Sequence, residues 1–573
     1  MDQKVSIDEP EIWGGIECTI NRIGDEYKDQ LDYSGHYSRT GDIEAIAGLG
    51  IKTIRYPILW ERNQPRKNAK IDWTWTHRQL QAIRDSDMKL IAGLMHHGSG
   101  PSFTNLLDRE FPYLLADYAY EVASRFPWIT DYTPVNEPLT TARFSGLYGL
   151  WYPHHTNEGS FYRMLLNQLK GTVLAMEAIR SINPSARLVQ TEDLGKTYST
   201  ALLSYQAKFE NERRLLTFDV LTGRLIPGHP QYQHILSCGI SEEELEFFQS
   251  QRFAPDVLGL NYYVTSERWL DESLEKYPHE VLGTNGIHRY ADTERVRAYL
   301  PAPGGFQVLA TEIWDRYRIP MAVTECHLHC TRDEQLRWFK EIWGDVVTLT
   351  NRGIDIKGVT AWALLGSFDW DTLLTKTGTQ YESGVFDIKT VPRQLRPTAL
   401  ATLIKNMNDK KNKLHPVLAA PGWWHGAQLL PNYDSQPVVI VRGEDGENIG
   451  GLDTGKLSHA LAAACNQRRI TTFVAKDLDE INIDRVNPWA IINLGCKSTK
   501  NLCKGMGLQY VTFNSGETGD GCLRIVVEQM PMSIHQINRV LDLMIDGDQG
   551  CWIVGPGKVT LKTEHLRQRR HIA

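Results

Sequence analysis

The feature that most constrains the fold is a series of eight apolar segments, several of them separated by amphipathic stretches, within the first 400 residues. These segments are rich in β-branched and aromatic residues, as buried parallel strands are. Residues 161–182 carry apolar side chains at three- and four-residue spacing, which predicts a helix. Eight strand–helix units predict an α/β protein with a closed (β/α)8 TIM barrel. The predicted strands are residues 13–20, 51–60, 89–96, 129–136, 186–194, 256–264, 319–327 and 356–370.

Two of the predicted strands end in a glutamate. Glu137 follows the fourth strand in the motif Asn136-Glu137-Pro138, and Glu325 follows the seventh in Thr324-Glu325. Catalytic groups of such barrels lie at the C-terminal ends of the strands. A pair of carboxylates there is what acid/base or nucleophilic chemistry on a glycosidic bond requires. The alternative is that both are structural carboxylates paired with buried arginines.

Around this pair, roughly residues 10–408 resemble the family 1 glycoside hydrolases, which are retaining β-glycosidases. The resemblance rests on six motifs in the family's order and on a further closing segment. Each motif lies at a predicted strand end, so together they are specific. They are Arg55-Tyr56, His96, 133–138 (TPVNEP), 260–263 (LNYY), Thr324-Glu325, 362–370 (WALLGSFDW) and the closing residues 383–387 (SGVFD) with 396–399 (RPTA).

The resemblance implies a role for each residue around the two glutamates. Glu325 is the expected nucleophile and Glu137 the expected general acid/base, in a site where the two carboxyls stand about 5–5.5 Å apart. Arg55 and Tyr263 are expected to support the nucleophile by lowering its pKa. Glu137 has no cation in its motif and has a negative neighbour, so its pKa is expected to be raised. Asn136 is expected to bind the 2-hydroxyl of the sugar.

The expected sugar pocket departs from the family's pattern at three places. Strand 1 has Glu instead of Gln, strand 3 has His-His instead of His-Trp, and strand 8 has Asp-Trp instead of Glu-Trp. Hydrogen-bonding sites discriminate strongly between sugars, because a missing partner leaves a buried polar group unpaired. The sequence therefore predicts a β-glucosidase-like enzyme whose sugar need not be glucose. The expected substrate-binding residues are Glu17, His96, His97, Asn136, Trp362, Asp369 and Trp370.

A metal site is an alternative use of the same strand ends. Thiolates and imidazoles are zinc ligands. The spacing here is not that of a zinc finger or ribbon, and adjacent residues of an extended strand face opposite sides. We therefore predict hydrogen-bonding histidines and a buried thiol, with no metal and no cofactor. The residues concerned are Cys326, His327, His329 and Cys330, together with His96-His97 and His154-His155.

The composition changes after residue 410, where the predicted barrel domain (1–410) ends. Residues 411–435 are a predicted connector, and its Trp423 and Trp424 are too apolar for a free linker, which predicts packing on the barrel surface. Residues 436–573 again alternate strands and helices, which predicts a smaller α/β domain. Its predicted strands are 437–443, 470–475, 490–494, 510–514, 523–528 and 551–554, and its predicted helices are 456–469, 479–487 and 534–545.

This second domain resembles nucleotide-sugar reductases of the dTDP-4-dehydrorhamnose reductase type, in residues 438–443, 476–493 and 513–521. That family's phosphate loop has three spaced glycines. Here Gly443 and Gly446 are followed by Ile449, and no Tyr-x-x-x-Lys follows the third strand. The sequence predicts a degenerate Rossmann-like domain that binds no NAD(P). Retained nucleotide or nucleotide-sugar binding is the alternative.

Charge and cysteine content narrow the partners and the location. The chain has 69 acidic and 62 basic residues, a net charge of −7, which argues against nucleic-acid binding. The first residues lack an apolar segment, and no run reaches membrane-spanning length. Nine scattered cysteines suit a reducing compartment, so we expect a cytoplasmic protein, compatible with homo-oligomers, that acts on a β-glycoside. The alternatives are a transglycosylase or sugar-binding protein in saccharide synthesis, and a nucleotide-sugar oxidoreductase.

Overall fold

The structure, a computed structural model, divides the chain into two compact units. The first comprises residues 1–327 and 341–384, and the second comprises residues 328–340 and 385–573. The second unit therefore begins before residue 410, the predicted end of the barrel domain. The described residues are 8–67, 69–250, 252–298, 304–389, 394–425, 435–444, 448–449, 452–494, 508–513, 522–528, 531–556 and 558–562.

The first unit contains a closed barrel of eight parallel strands, as predicted. Each strand pairs with the next one along the chain, and the eighth closes onto the first with Gly358 opposite Glu11. The strands are β1 (Glu11–Gly15), β2 (Thr53–Pro57), β3 (Lys89–His96), β4 (Asp131–Asn136), β5 (Arg187–Asp193), β6 (Val257–Asn261), β7 (Met321–Cys326) and β8 (Ile356–Ala361).

Helices follow the strands, as in other barrels of this type. The long helix Glu158–Ile182 matches the predicted one, and the Asn157 side chain caps it by accepting a hydrogen bond from the amide of Ser160. The other helices that begin in this unit are Gln30–Tyr33, Asp42–Ala47, Trp60–Asn63, Thr74–Asp85, Phe111–Arg125, Pro138–Ala142, Ser204–Arg213, Leu216–Leu221, Tyr232–Ser237, Glu242–Ser250 and Phe306–Tyr317, with a π-helix at Arg143–Leu147. Helix Arg332–Asn351 begins in the second unit and ends in the first.

The barrel core is built from apolar side chains of several strands. Trp13, Ile91, Val189, Val257 and Ala322 form one buried cluster, and none of them is more than 6% exposed. Burying an aliphatic or aromatic side chain of this size contributes about 1.5–3 kcal/mol to stability. This buried layer joins strands β1, β3, β5, β6 and β7 in the interior of the barrel.

Strands β1 and β8 are shorter than the predicted segments 13–20 and 356–370. Strand β1 ends at Gly15, and the chain then forms a hairpin of strands Ile20–Ile23 and Glu26–Asp29. Strand β8 ends at Ala361, and Gly366 adopts a left-handed conformation (φ 76°) that an extended strand cannot contain. After this turn, Ser367–Phe368 pairs with Tyr381–Glu382. Apolar sequence thus continues past the point where the backbone leaves the sheet.

A small sheet outside the barrel contains strands Thr197–Ser199, Arg268–Asp271, Leu282–Thr284 and Arg289–Glu294. No helix in the described part of the chain is long and apolar enough to cross a membrane.

The second unit contains a seven-stranded sheet. Its strands are β9 (Val438–Val441), β10 (Thr472–Ala475), β11 (Ala490–Asn493), β12 (Gln509–Phe513), β13 (Cys522–Val527), β14 (Gly550–Gly555) and β15 (Lys558–Leu561). The order is β10-β9-β11-β12-β13-β14-β15, and only β15 runs antiparallel to its neighbour. Each predicted strand has a counterpart, and β15 was not expected. The helices are Thr454–Gln467, Ile483–Val486 and Ile534–Ile545, together with Ala399–Asn408.

The predicted helix 479–487 is interrupted. Residues Leu478–Glu480 form a 3-10 turn, and a separate short helix, Ile483–Val486, follows. Asn482 causes the restart, since its side chain accepts a hydrogen bond from the amide of Arg485 as a helix cap. A local side-chain cap here overrides the helical pattern of the apolar residues.

Buried ion pairs connect distant segments of the second unit. Asp546 accepts hydrogen bonds from the Ala399 amide (2.7 Å) and pairs with Arg332 (2.8 Å) and Arg396 (2.9 Å). Arg468 pairs with Asp333 (2.6 Å). Residues 332–333 and 396–399 therefore share one network with the C-terminal sheet region, which explains why the second unit reaches back to residue 385 and includes residues 328–340.

The described part of the predicted connector also packs within this unit. The Trp424 and Trp338 rings meet edge to face at 5.3 Å, and the Arg469 guanidinium donates a hydrogen bond to the Gly422 carbonyl (3.0 Å). Residues 426–434 of the connector lie outside the described residues.

Candidate active site

Glu325 is the second-last residue of strand β7, and its side chain is only 3% exposed. One of its oxygens accepts a hydrogen bond from the Arg55 guanidinium (3.3 Å), and the other accepts one from the Tyr263 hydroxyl. Arg55 is on strand β2, and it also donates to the Thr324 carbonyl. Both predicted supporting residues therefore contact the predicted nucleophile.

Glu137 directly follows strand β4 and begins helix Pro138–Ala142. It is buried, and one carboxylate oxygen accepts a hydrogen bond from the Asn261 amide (2.5 Å). The other oxygen lies 3.6 Å from Nε2 of His97. Among the described contacts, no arginine or lysine pairs with Glu137, in contrast to Glu325. The two carboxyls therefore have different neighbours, as a division of roles requires.

Asn136 contacts a partner of each glutamate, namely Arg55 beside Glu325 and Asn261 beside Glu137. Its Oδ1 accepts hydrogen bonds from Arg55 (2.9 Å) and from the Thr191 hydroxyl (2.7 Å). Because a guanidinium can only donate, this contact fixes which amide atom is the oxygen. The Nδ2 group is thereby directed to Nε2 of His96, 3.2 Å away. The Asn136 amide is therefore held in one orientation at the end of strand β4.

Burial determines the pKa of both glutamates. For Glu325, burial raises the pKa to about 7, although Arg55 and Tyr263 both lower it. The net shift is upward, opposite to the expected one, because removing a carboxylate from water outweighs one guanidinium and one hydroxyl. Burial and the negative charge of Glu325 raise the pKa of Glu137 well above its usual range. This upward shift of the Glu137 pKa agrees with the expectation for an acid/base residue.

His96 and His97 lie beside the carboxyl pair and are both buried. Burial lowers the pKa of His96 well below its usual range and lowers that of His97 to about 3, with Arg55 adding to both shifts. Both rings are therefore neutral at pH 7, so each offers one donor and one acceptor nitrogen. His97 is further held by the Thr141 hydroxyl, 3.0 Å from its Nδ1. These are suitable partners for sugar hydroxyls.

Glu17 follows strand β1 and is 4% exposed. One oxygen accepts a hydrogen bond from the Thr19 amide (2.9 Å). Burial raises its pKa, the negative charge of Glu382 adds to the shift, and Arg55 opposes it. Glu382 is itself buried and lies 3.0 Å from Nε2 of His327. Glu17 therefore interacts electrostatically with Arg55 of the site and with Glu382, a second acid that sequence reasoning did not identify.

The three predicted sugar-binding residues after strand β8 differ in their exposure and in their hydrogen bonds. Trp362 is buried and its ring stacks on His96 (5.4 Å, 9° between planes), whereas Trp370 is partly exposed, with its ring 5.5 Å from that of His97. Asp369 departs from the expectation. Its carboxylate accepts hydrogen bonds from its own loop, namely the amides of residues 378–380 (2.7–3.3 Å) and the Thr379 hydroxyl (3.0 Å). Since these four donors use the carboxylate's acceptor sites, Asp369 shapes the loop and has little capacity left for a sugar.

Sequence reasoning missed two positioning residues. Asn261 also accepts a hydrogen bond from Thr324 (2.7 Å), which orients its amide toward Glu137. Glu192, at the end of strand β5, accepts hydrogen bonds from the amides of Leu139 (2.9 Å) and Thr140 (3.2 Å). It thus caps the helix that begins after Glu137. A further acid at a strand end was a visible signal for Glu192.

The histidines and cysteines of the alternative metal site have other partners. His327 contacts the Trp362 carbonyl (3.0 Å) through Nδ1, and Cys330 donates weakly to the Leu328 and Thr331 carbonyls. His154 accepts a hydrogen bond from the Gly24 amide (2.9 Å), and His155 pairs with the Ser160 hydroxyl (2.8 Å). The described contacts thus use these rings in separate hydrogen bonds.

Comparison with known proteins agrees with this geometry. The model of glycosyl hydrolase family 1 matches residues 12–396. Beta-glucosidase A from Thermotoga maritima is 21% identical over 384 residues, which are 58% of this chain and 78% of that protein. A solved Thermotoga maritima beta-glucosidase in complex with cyclophellitol shares the fold at a TM-score of 0.58 and 16% identity, covering 71% of this chain and 99% of that one. The complex of the family 1 b-glucosidase with isofagomine lactam also gives 0.58 and 16%, covering 70% of this chain and 98% of that one.

Because the family model covers more than half of the chain and the carboxyl pair stands at the ends of β4 and β7, this protein, a glycoside hydrolase with a (β/α)8 barrel, belongs to glycosyl hydrolase family 1.

Proposed function

We propose that Glu325 and Glu137 carry the family's retaining hydrolysis of β-glycosides in this protein. A Glu325 oxygen attacks the anomeric carbon while Glu137 gives its proton to the departing glycosidic oxygen, so the C–O bond breaks and a glycosyl ester forms. Glu137 then takes a proton from water as the water oxygen attacks the same carbon and releases Glu325. The sugar leaves with its original β configuration.

The observation that carries this assignment is the asymmetry of the pair. Glu325 has a guanidinium and a hydroxyl on its two oxygens, which favour the ionised form that a nucleophile needs. Among the described residues, Glu137 contacts the Asn261 side-chain amide and a histidine that burial keeps neutral, so it holds a proton more readily. Reversed roles would place the proton donor against the arginine.

We infer that the substrate is a β-glycoside whose sugar is not bound in the way that glucose is in typical members of the family. The relatives' name, beta-glucosidase, supports a β-glucoside-like substrate. The Glu17 carboxylate and the loop-bound Asp369 carboxylate support a changed pattern of hydroxyl contacts. A carboxylate accepts but does not donate when ionised, so it favours a sugar that presents donors at that point.

For the C-terminal region we propose a non-catalytic domain related to nucleotide-sugar reductases. Six parallel strands with β9 between β10 and β11 support this relationship, since the first strand also lies between later strands in doubly wound, dinucleotide-binding sheets. Residues 445–447 and 450–451 of the predicted phosphate loop, and residues 514–521, lie outside the described residues. We further propose a cytoplasmic location. None of the seven described cysteines forms a disulfide with another of them, as in a reducing compartment.

Azide rescue tests the assignment with two matched variants. Glu325→Gly should lose turnover of an aryl β-glycoside, and azide should restore it by forming the α-glycosyl azide, because azide takes the place of the nucleophile. Glu137→Gly should instead form the β-glycosyl azide, because azide then attacks the glycosyl ester. Product configuration is read by NMR. Near-normal turnover in Glu325→Gly, or the β product from it, would refute the assignment.

A further inference from the structure

Three side chains with metal-binding chemistry meet on the surface of the first unit, away from the residues assigned to the carboxyl pair. Glu158 lies in the first turn of helix Glu158–Ile182, and His234 is on helix Tyr232–Ser237. Cys238 caps the C-terminal end of that second helix, four positions after His234. Side chains four apart share one helix face. Their ligand atoms all lie within 4.8 Å of one another.

The distances between these groups are close to those between ligands of one zinc ion, with the imidazole and the thiol facing different oxygens of the Glu158 carboxylate. Nε2 of His234 is 3.0 Å from Oε1 of Glu158, and the Cys238 sulfur is 3.8 Å from the His234 nitrogen and from Oε2 of Glu158. Zn–N and Zn–O bonds of about 2.0–2.1 Å and Zn–S bonds of about 2.3 Å, at tetrahedral angles, separate the ligand atoms by about 3.3–3.6 Å. Each observed separation differs from this range by only a few tenths of an ångström.

The surroundings hold the imidazole in place and leave room for a fourth ligand. The Phe209 and Tyr162 rings pack edge-on against His234, at 5.1 and 5.8 Å. The His234 and Glu158 side chains are 32% and 42% exposed, so solvent reaches the cluster. Among the described residues, no lysine or arginine pairs with Glu158. Its carboxylate is therefore not already neutralised by a permanent cation.

In a second cluster of possible metal ligands, an arginine already neutralises the carboxylates. Glu212, Asp219 and His229 also lie within reach of a common ion. There, however, Arg316 contacts both Asp219 (2.7 Å) and Glu212 (3.1 Å), and the Tyr317 hydroxyl donates to Asp219 (2.8 Å). A guanidinium occupies the place of a cation, so this cluster is an ion-pair network.

We propose that Glu158, His234 and Cys238 form a Zn²⁺ site with three protein ligands and water in the fourth position. One thiolate, one imidazole and one carboxylate make a mixed ligand set that suits zinc, whereas Mg²⁺ and Ca²⁺ prefer oxygen ligands. The sequence had predicted no metal, and the ligands sought at Cys326 to Cys330 are different ones. The site was not visible in the sequence because Glu158 is 76 positions from His234.

Zinc at this position would join the first turn of helix Glu158–Ile182 to helix Tyr232–Ser237. The thiol must lose its proton to bind, and the released proton makes affinity rise with pH. A proton is therefore displaced when zinc binds.

Zinc titration of the full-length protein tests the site, after chelator treatment, in a non-thiol reductant and with a chromophoric competitor. We expect one zinc per chain that excess Mg²⁺ does not displace. Cys238→Ser should weaken zinc binding by about 100-fold or more, because losing a residue that only hydrogen-bonds to a metal ligand already weakens binding by about 10–100-fold. Cys330→Ser, which removes another half-buried thiol, should bind as the unmodified protein does. With Co²⁺, the sulfur-to-metal charge-transfer band should disappear only in Cys238→Ser.

Alkylation of the unmodified protein gives a second readout that needs no variant to fold. Stoichiometric zinc should slow iodoacetamide modification of Cys238, mapped by peptide mass spectrometry, and leave Cys330 unaffected. The proposal is overturned if Cys238→Ser binds zinc with unchanged stoichiometry and affinity, if Cys330→Ser loses the site, or if micromolar zinc neither binds nor protects Cys238.

Discussion

Tyr263→Phe tests how the site keeps its nucleophile ionised. The Tyr263 hydroxyl donates to Glu325, and burial already raises the pKa of Glu325 to about 7. A hydrogen bond to a charged group contributes about 1.5–3 kcal/mol. Since one pKa unit corresponds to about 1.36 kcal/mol, losing this bond should raise the pKa of Glu325 by about 1–2 units.

The acidic limb of the kcat/KM profile should therefore move upward by about 1–2 pH units in Tyr263→Phe. The nucleophile acts only when ionised, so activity is lost as the pH falls through its pKa, and a higher pKa moves that loss to higher pH. At pH values below the acidic limbs of both proteins, kcat/KM of the variant should be lower than that of the unmodified protein by about 10–100-fold. The basic limb, which reports protonated Glu137, should stay in place, because Glu325 is already charged there.

Tyr262→Phe is the matched control for this profile. Tyr262 is the preceding residue, is also buried, and packs its ring on Phe306 at 5.4 Å. It should leave the acidic limb where it is. An unshifted limb in Tyr263→Phe, or an equal shift in Tyr262→Phe, would refute the account of Glu325 given above.

Three more changes and one titration test other parts of the structure. Glu137→Gln should slow alkyl β-glycosides by about 10²–10⁴-fold and glycosides of acidic phenols far less, because good leaving groups need no proton; equal losses across leaving groups would contradict its role. Glu17→Gln, which restores the family's usual residue, should shift the kcat/KM ratio toward β-glucosides by about 10-fold in a panel of aryl glycosides, and an unchanged ratio would exclude Glu17 from sugar selection. Asp546→Asn should lower the free energy of unfolding in urea by about 1.5–3 kcal/mol, since it removes a buried carboxylate that Arg332 and Arg396 share, while Arg396 keeps its pair with Asp387 (2.8 Å); Asp409→Asn on the surface should change it by about 0.5 kcal/mol or less. Because the folded pKa of Asp546 is lowered, the stability it provides is present at neutral pH and is lost as the pH falls through that lowered value. Calorimetric titration with NADPH should show no binding to the full-length protein, and micromolar affinity would show that the second unit retains a nucleotide site.

The barrel could be predicted because its signals are local and repeat. Each inner strand is a short apolar run, and hydrophobic periodicity marks the helices between them. Once eight units are counted, the fold itself places Glu137 and Glu325 at one end of the barrel, since every parallel strand ends at the same side. Arg55, Tyr263, Asn136 and both histidines join them there by the same rule.

Net electrostatics could not be predicted in this way. The sequence shows that Arg55 belongs near Glu325, and the contact is present, but the direction of the pKa shift depends on how much water burial removes. Asp369 shows the same limit. Its position after β8 is a strand-end position, yet the conformation of its loop directs backbone amides at its carboxylate.

What the sequence alone determines is therefore the fold of the barrel, the strand-end positions of Glu137 and Glu325, and six of the seven strands of the second sheet, because short-range patterns encode all of these. The tertiary structure decides the contacts between residues far apart in the chain. Asp546 pairs with Arg332 and Arg396, which lie more than a hundred positions earlier in the chain, and Glu158 contacts His234 and Cys238 of another helix. No local sequence pattern predicts these contacts, because they form only when tertiary packing brings the distant segments together.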